Sequence, residues 1–283
     1  MNTIFDLQRY AARELKDAYD EDEVRVLCSL SFQHILQCTN VEIHLKKHEQ
    51  LEERFVDKFL NVLKRLKDSE PIQYILGETL FSDCRFRLNR ATLIPRPETE
   101  ELVRWIVESG LRAGQSVLDI GTGSGCIAIA LGYLVPGVQI TGVDISSEAV
   151  DQASENARLN GVEGQFFVRD ILRAEQAEWA SYDVIVSNPP YVRESERAWM
   201  QERVLRYEPK RALFVSDEDP LLFYRSIARF AQKHLHPSGS LFFEINEAFG
   251  PEMIALFASF DFQDIHLKHD LFGKPRFIHG VKR

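Results

Sequence analysis

The heptapeptide VSNPPYV, residues 186–192, sets one polar side chain, Asn188, between an apolar run and two consecutive prolines. Proline fixes its own φ, carries no N–H donor and restricts the residue before it. A strand ending in Asn188, Pro189, Pro190 and Tyr191 therefore presents an amide and an aromatic ring on a stiff turn. Upstream, VLDIGTGSGC (residues 117–126) puts Gly121, Gly123 and Gly125 after an expected strand and before an expected helix, the setting in which a glycine loop admits a nucleotide. The dinucleotide fingerprint requires its third glycine where Cys126 stands, so this spacing does not favour a pyrophosphate. Asp144 closes the next strand in TGVDIS, where a carboxylate can accept from both hydroxyls of a ribose, and Asp170 closes a third strand in FVRDIL. Any one of these acids reads equally well as a helix start. As a set, each at the carboxyl end of its own strand, they describe a pocket for adenosine.

The elements that must carry these residues follow from periodicity. From Thr3 to about Lys67 apolar positions recur at helical spacing and glycine is absent, which predicts an all-helical unit over residues 1–70. Thr39 and Asn40 supply a cap and a break inside it, and the acidic run at residues 20–23 suits the positive end of its second helix. Residues 71–95 change texture to aromatic and β-branched, with a turn at SDC, and read as a β-hairpin linker. Pro95 and Pro97 then introduce an amphipathic helix ending at Gly110, opening the domain over residues 96–283.

Beyond it, strands SVLDI, VQITGVDI, GQFFVRD, YDVIVS and SLFFEI alternate with helices expected from Ser124, Ser147, Asp219 and Pro251. That alternation predicts an α/β fold with a doubly wound, mostly parallel sheet. Two closing runs, IHLKH and RFIHGV, have no helix between them and predict an antiparallel hairpin at one edge.

The chain has 283 residues, 45% hydrophobic and 27% charged, an ordinary globular balance. Its 34 Lys and Arg against 43 Asp and Glu give a formal charge of -9, the wrong sign for a protein that lives on phosphate contacts. Cys28, Cys38, Cys84 and Cys126 form no Cys-x-x-Cys pair, and the nearest histidine pairs, His234 with His236 and His266 with His269, lack a completing carboxylate. No metal site and no disulfide framework are expected. The start lacks the apolar core of a signal peptide, and the longest apolar run, CIAIALGYLV, is too short to span a bilayer. A soluble, cytoplasmic, monomeric protein with no stable nucleic-acid partner is expected.

Asp119 two residues before Gly121, the Gly-x-Gly-x-Gly loop, Asp144 and the Asn-Pro-Pro-Tyr strand end together resemble the class I S-adenosylmethionine-dependent methyltransferases. The resemblance implies that the loop passes close to the methionine part of S-adenosyl-L-methionine, with S-adenosyl-L-homocysteine as product. It also implies a nitrogen substrate conjugated to a π system, whose delocalised lone pair makes it a poor nucleophile. Side-chain oxygen of Asn188 and carbonyl of Pro189 accepting from the NH2 group would align it and favour positive charge on nitrogen, and Tyr191 could stack on its plane. No strong base is needed.

Asn-Pro-Pro-Tyr also occurs in enzymes that act on adenine in DNA and on ribosomal RNA. Here PIQYILGE (residues 71–78) and IPRPETE (residues 94–100) precede it, and RYEPKRALF (residues 206–214) follows, so that essentially the whole chain resembles the release-factor glutamine methyltransferases, the HemK/PrmC family. The resemblance implies methylation of the side-chain amide of the glutamine in the Gly-Gly-Gln motif of peptide chain release factors. It implies cofactor contacts by Gly121, Thr122, Gly123, Ser124, Gly125, Asp144, Asp170, Ile171 and Asn188, substrate contacts by Asn188, Pro189, Pro190 and Tyr191, and a 206–214 loop covering the site. Ile171 stands where the family often carries tryptophan, and no role is assigned to Ile245 or Asn246, where it usually has glycine or histidine. The rivals are a nucleic-acid amino-methyltransferase, a ribosomal-protein glutamine methyltransferase, a nicotinamide-dependent oxidoreductase and a non-catalytic binding module.

Overall fold

Thr3, Asp20 and Thr39 each turn a side-chain oxygen onto the third backbone N–H of the helix that follows, and these caps set the helix starts of the N-terminal unit. A computed structural model describes residues 2–283. In it α1 (Ile4–Leu15), α2 (Glu21–Leu36), α3 (Asn40–Leu45) and α4 (Glu53–Lys67) form this unit. Glu42 closes a capping box with Thr39, and Glu21, Asp22 and Glu23 sit in the first turn of α2, where the helix dipole favours negative charge. Ile4, Leu7, Ala11 and Leu15 form one stripe of α1, packed with Val24, Leu27 and Phe32 of α2 and Phe59, Leu63 and Leu66 of α4. Phe32 and Phe59 stack at 4.4 Å between ring centres; each ring buried this way contributes on the order of 1.5–3 kcal/mol.

The stretch PIQYILGE is mostly helical: α5 (Ile72–Leu76) follows Pro71 and is capped by Gly77. Arg65 of α4 bonds both oxygens of the buried Glu70 at 2.8 Å and reaches the carbonyls of Tyr74 and Ile75. Local apolar texture suggested extended chain there; the Arg65 fork supplies the carbonyls with donors and stabilises a turn of helix. Residues up to Gly77 form one compact unit together with Gln201–Tyr207, whose Arg203 pairs with Glu23 at 2.9 Å and whose Tyr207 hydroxyl donates to the carbonyl of Asp68.

The second unit holds the rest. It opens with a hairpin, β1 (Glu78–Phe81) and β2 (Cys84–Arg87), whose turn residues Ser82 and Asp83 both have positive φ, the geometry of tight two-residue hairpin turns. Then come α6 (Pro97–Glu108), β3 (Ser116–Ile120), α7 (Cys126–Leu134), β4 (Gln139–Asp144), α8 (Ser147–Leu159), β5 (Gly164–Val168) and β6 (Tyr182–Ser187). After β7 (Val192–Arg193), the helix Glu202–Tyr207 of the first unit is α9; α10 (Lys210–Leu213), β8 (Phe214–Val215), α11 (Leu222–His234), β9 (Leu235–Glu244), α12 (Gly250–Ser259), β10 (Phe262–His269) and β11 (Pro275–Lys282) complete the chain.

Seven strands form one sheet in the order β10-β11-β9-β6-β3-β4-β5, parallel except that β11 runs antiparallel to both β9 and β10. This is the expected doubly wound sheet with its antiparallel edge hairpin. The chain leaves β3 towards β4 and β5 and returns to β6 on β3's other side, so the carboxyl ends of β3 and β6 flank a topological switch point, where such sheets bind ligands. Under it, Leu118, Ile120, Ile185, Leu241 and Phe243 pack on Tyr224, Ile227 and Ala231 of α11.

Some elements differ from the sequence reading. Helix α7 begins at Cys126 rather than Ser124, because Gly125 has φ +82° and cannot be helical. Helix α11 begins at Leu222 rather than Asp219, whose carboxylate instead grips Arg225 through two bonds of 2.8 and 2.9 Å. Residues 206–214, expected as a loop, contain the end of α9, all of α10 and the first residue of β8.

Candidate active site

Everything at the switch point starts from how β3 ends. The amides of Gly121 and Thr122 both donate to the carbonyl of Val143 on β4, at 2.8 and 2.9 Å, so the chain turns sharply as it leaves the sheet. Gly121 has φ +73°, and a Cβ built on it would meet no atom within 4 Å, so the loop faces open space there. Gly125 is glycine for a second reason: a Cβ would stand 2.6 Å from Ile129 Cδ1 and 3.1 Å from the Ala153 methyl, where α7 and α8 close on each other.

Asp144 at the end of β4 accepts the Gly123 amide on Oδ2 at 3.0 Å and the Ser146 amide on Oδ1 at 2.9 Å, so it shapes the glycine loop as well as facing the cavity. Asn156 of α8, which the sequence reading passed over, donates to the carbonyls of Ser124 and Arg87 and accepts the Arg87 amide. With Asn160 one turn on doing the same for Arg85, α8 serves β2 as a substitute strand and ties hairpin to loop.

Beneath the loop lies Asp119, fully buried, with Oδ2 accepting the Thr122 hydroxyl at 2.7 Å and Oδ1 without a hydrogen-bond partner; Ser124 Oγ is also unpartnered. Burial pushes the Asp119 carboxyl from 3.8 up to about 7, partly offset by the Thr122 hydroxyl. The folded protein thus holds this proton at pH values where the unfolded chain has released it, and the associated stability is lost as pH rises from 3.8 through about 7. Asp119→Asn is expected to flatten that slope and to raise the melting temperature above pH 7. Thermal unfolding of both proteins across this range, without added ligand, checks it; parallel curves would refute it.

One cavity of about 350 Å³ gathers the ends of β3, β4 and β6. It is lined by Gly121, Thr122, Gly123, Ser124, Asp144, Asp170, Ile171, Asn188, Pro189 and Pro190, but not by Gly125, which packs inside, nor by Tyr191. Asp170 caps a short helical turn, its Oδ1 accepting the Leu172 amide at 2.9 Å. Arg96, Thr99, Arg169 and Arg211 also line the space, and among the described residues no His, Lys or Glu does. Arg96 pairs at 2.7 Å with the buried Glu208, which also accepts the Ile94 amide, so IPRPETE and the segment after Tyr207 meet at the cavity wall.

Tyr191 turns its hydroxyl away, to Oε1 of Glu244 at 3.0 Å. Glu244, at the end of β9, is 1% exposed and also accepts the Thr99 hydroxyl on Oε2 at 2.7 Å. Burial raises its pKa, against the pull of these two hydroxyls and of Arg276. Asn188 Nδ2 donates to Thr99 Oγ1 at 3.3 Å. Neither Thr99 nor Glu244 stood out in the sequence; IPRPETE marked the first without a role.

Open space where a Cβ would stand at Gly121 and the strand-end carboxylate of Asp144 beside it fit a ligand with hydroxyl donors. Among the described residues no three His, Cys, Asp or Glu stand close enough to hold a metal ion, and no helix is long and apolar enough to cross a membrane.

Residues 99–212 match the family model of the methyltransferase small domain, and residues 6–77 that of the PrmC N-terminal domain. The release factor glutamine methyltransferase of Flavobacterium psychrophilum is 42% identical over 268 residues, 93% of this chain and 94% of that one. That of Bacteroides thetaiotaomicron is 42% identical over 95% of this chain and 96% of its own. Among solved structures, a 16S rRNA methyltransferase of T. thermophilus in complex with AdoMet and guanosine superposes with a TM-score of 0.51 at 18% identity, over 73% of this chain and 50% of that one, a likeness of fold alone. With 42% identity carried across both the helical unit and the sheet, the chain belongs to the release factor glutamine methyltransferase family.

Proposed function

We propose that this protein transfers a methyl group from S-adenosyl-L-methionine to the side-chain amide nitrogen of the glutamine in the Gly-Gly-Gln motif of peptide chain release factors, leaving S-adenosyl-L-homocysteine. The observation that carries this reading is that Asn188 and Pro189 line the same cavity as the glycine loop and Asp144. The names of the two relatives support the substrate.

On this reading the loop from Gly121 to Ser124 lies along the methionine part, with Gly125 packed behind it, Asp144 accepts the ribose hydroxyls, and Asp170 and Ile171 border the adenine. The cofactor supplies an electrophilic methyl on a sulfonium. Asn188 Oδ1 and the Pro189 carbonyl accept the two hydrogens of the glutamine NH2, turning its lone pair out of conjugation and stabilising positive charge as it grows on nitrogen. The methylated nitrogen, positively charged, then releases its proton to solvent and returns to the neutral amide. Pro189 and Pro190 hold the acceptors in advance of binding. The helical unit, residues 1–70 in our assignment, holds the body of the protein substrate. Four cysteines, all free thiols, agree with a reducing, cytoplasmic setting.

Labelled methyl transfer to purified release factor, beside a factor whose Gly-Gly-Gln glutamine is replaced, and beside DNA and ribosomal RNA, tests the reading. Label on the intact factor alone is expected. Label on nucleic acid alone overturns the substrate while keeping the cavity chemistry, and a net charge of -9 argues against that outcome.

A further inference from the structure

We propose that Thr99 and Glu244 are positioning residues for methyl transfer: together they fix which way round the Asn188 amide sits, so that its Oδ1 faces the substrate nitrogen. This rests on the reading above, in which Asn188 grips the glutamine amide.

The two ends of an asparagine side chain are nearly the same size but opposite in chemistry, one an acceptor and the other a double donor. For a substrate NH2 group only the oxygen is of use; the flipped amide would set donor against donor. Something outside Asn188 must choose. Thr99 Oγ1 lies 3.3 Å from Nδ2 and carries a single proton. That proton goes to Glu244, whose Oε2 lies 2.7 Å away on its other side and, with the carboxylate ionised as the proposal requires, can only accept. Thr99 therefore offers Asn188 lone pairs alone, which attract Nδ2 and repel Oδ1.

Glu244 is itself held. Its Oε1 takes the Tyr191 hydroxyl at 3.0 Å, and the Tyr224 hydroxyl donates to its backbone carbonyl at 3.1 Å. At 1% exposure no bulk water competes for Oε2. Burial, the largest influence on the Glu244 carboxyl, works against its ionised form; the Thr99 and Tyr191 hydroxyls and Arg276 of β11, itself anchored by Asp270 and Glu247, work for it, and Glu98 against it. Thr99 is placed by its own helix: it lies in the first turn of α6, which starts at Pro97 beside the Arg96–Glu208 pair. Polarity thus runs one way, from carboxylate to hydroxyl to amide, and the threonine of IPRPETE gains a function that its helix alone does not require.

The experiment compares wild type with Thr99→Val, Thr99→Ser and Glu244→Gln, measuring kcat and KM on release factor, the dissociation constant for S-adenosylmethionine, and the melting temperature. Valine keeps the volume and loses the hydroxyl; glutamine keeps the volume but brings a donor and one acceptor where two hydroxyls need acceptors. Losing one orienting hydrogen bond is expected to lower kcat roughly tenfold in Thr99→Val and Glu244→Gln, with cofactor affinity within about twofold of wild type and Thr99→Ser restoring most of the rate. An unchanged kcat in Thr99→Val overturns the inference. So does a serine variant as slow as valine, or a loss of rate matched by lost cofactor affinity or melting temperature, since packing then explains it. A wild type that transfers nothing to release factor overturns the reading beneath, and this inference with it; an active wild type with an indifferent Thr99→Val overturns this inference alone.

Discussion

Asn188→Ala is expected to lower turnover on release factor by at least ~10²-fold while the affinity for S-adenosylmethionine weakens far less. The asymmetry follows from where Asn188 stands. It shares the cavity with the glycine loop and Asp144, but its carboxamide hangs from the end of β6, outside the network by which Asp144 and Val143 hold that loop. Removing it leaves the adenosine end of the pocket intact. What disappears is an acceptor for an NH2 group whose charge grows only as the methyl arrives, so the loss falls on the transition state more than on the ground state. Alanine after β6 keeps the Pro189–Pro190 turn, and no backbone bond of the sheet depends on the lost side chain. Single-turnover transfer at saturating cofactor, with the dissociation constant measured separately, decides the matter: unchanged turnover would falsify the mechanism, and a rate loss that vanishes at high cofactor would reassign Asn188 to cofactor binding.

How much of this was legible in the sequence depends on how far each feature reaches along the chain. The glycine loop, the strand-end acids and the proline turn are local; each is spelled by adjacent residues, and the strands before them announce themselves by composition. They line one cavity because a doubly wound sheet aligns the carboxyl ends of its strands. The orienting relay could not be read this way, since Thr99 lies 145 positions from Glu244 and 89 from Asn188. Nor could the Asn156 and Asn160 amides, which read as unremarkable helix-surface residues until β2 is laid beside them. Tyr191 was legible as an aromatic ring on a stiff turn but not as a partner of Glu244, because the direction of its hydroxyl is set by β9, a strand 53 positions on. The shifted starts of α7 and α11 have the same character: a glycine at positive φ and an aspartate gripping an arginine are decided by packing, not by propensity.

Asp144→Ala is expected to raise the dissociation constant for S-adenosylmethionine by ~10²-fold, the weight of one or two hydrogen bonds to a charged group, and to leave turnover at saturating cofactor nearly unchanged. Each carboxylate oxygen already accepts one backbone amide, from Gly123 and from Ser146, yet each has a second lone pair for a ligand hydroxyl. Two effects are therefore mixed in the variant, a loosened loop and a missing acceptor, and they separate by the ligand used. If Asp144 grips the ribose, S-adenosylhomocysteine should bind wild type much more tightly than its 2′,3′-dideoxy analogue does, and the two should bind Asp144→Ala alike. A dideoxy penalty that persists in the variant would leave Asp144 as a brace for the loop and move the ribose contact elsewhere. Turnover lost at saturating cofactor with binding intact would overturn the assignment from the other side, since an acceptor for ribose acts equally on ground and transition states and has no means of slowing the methyl transfer itself.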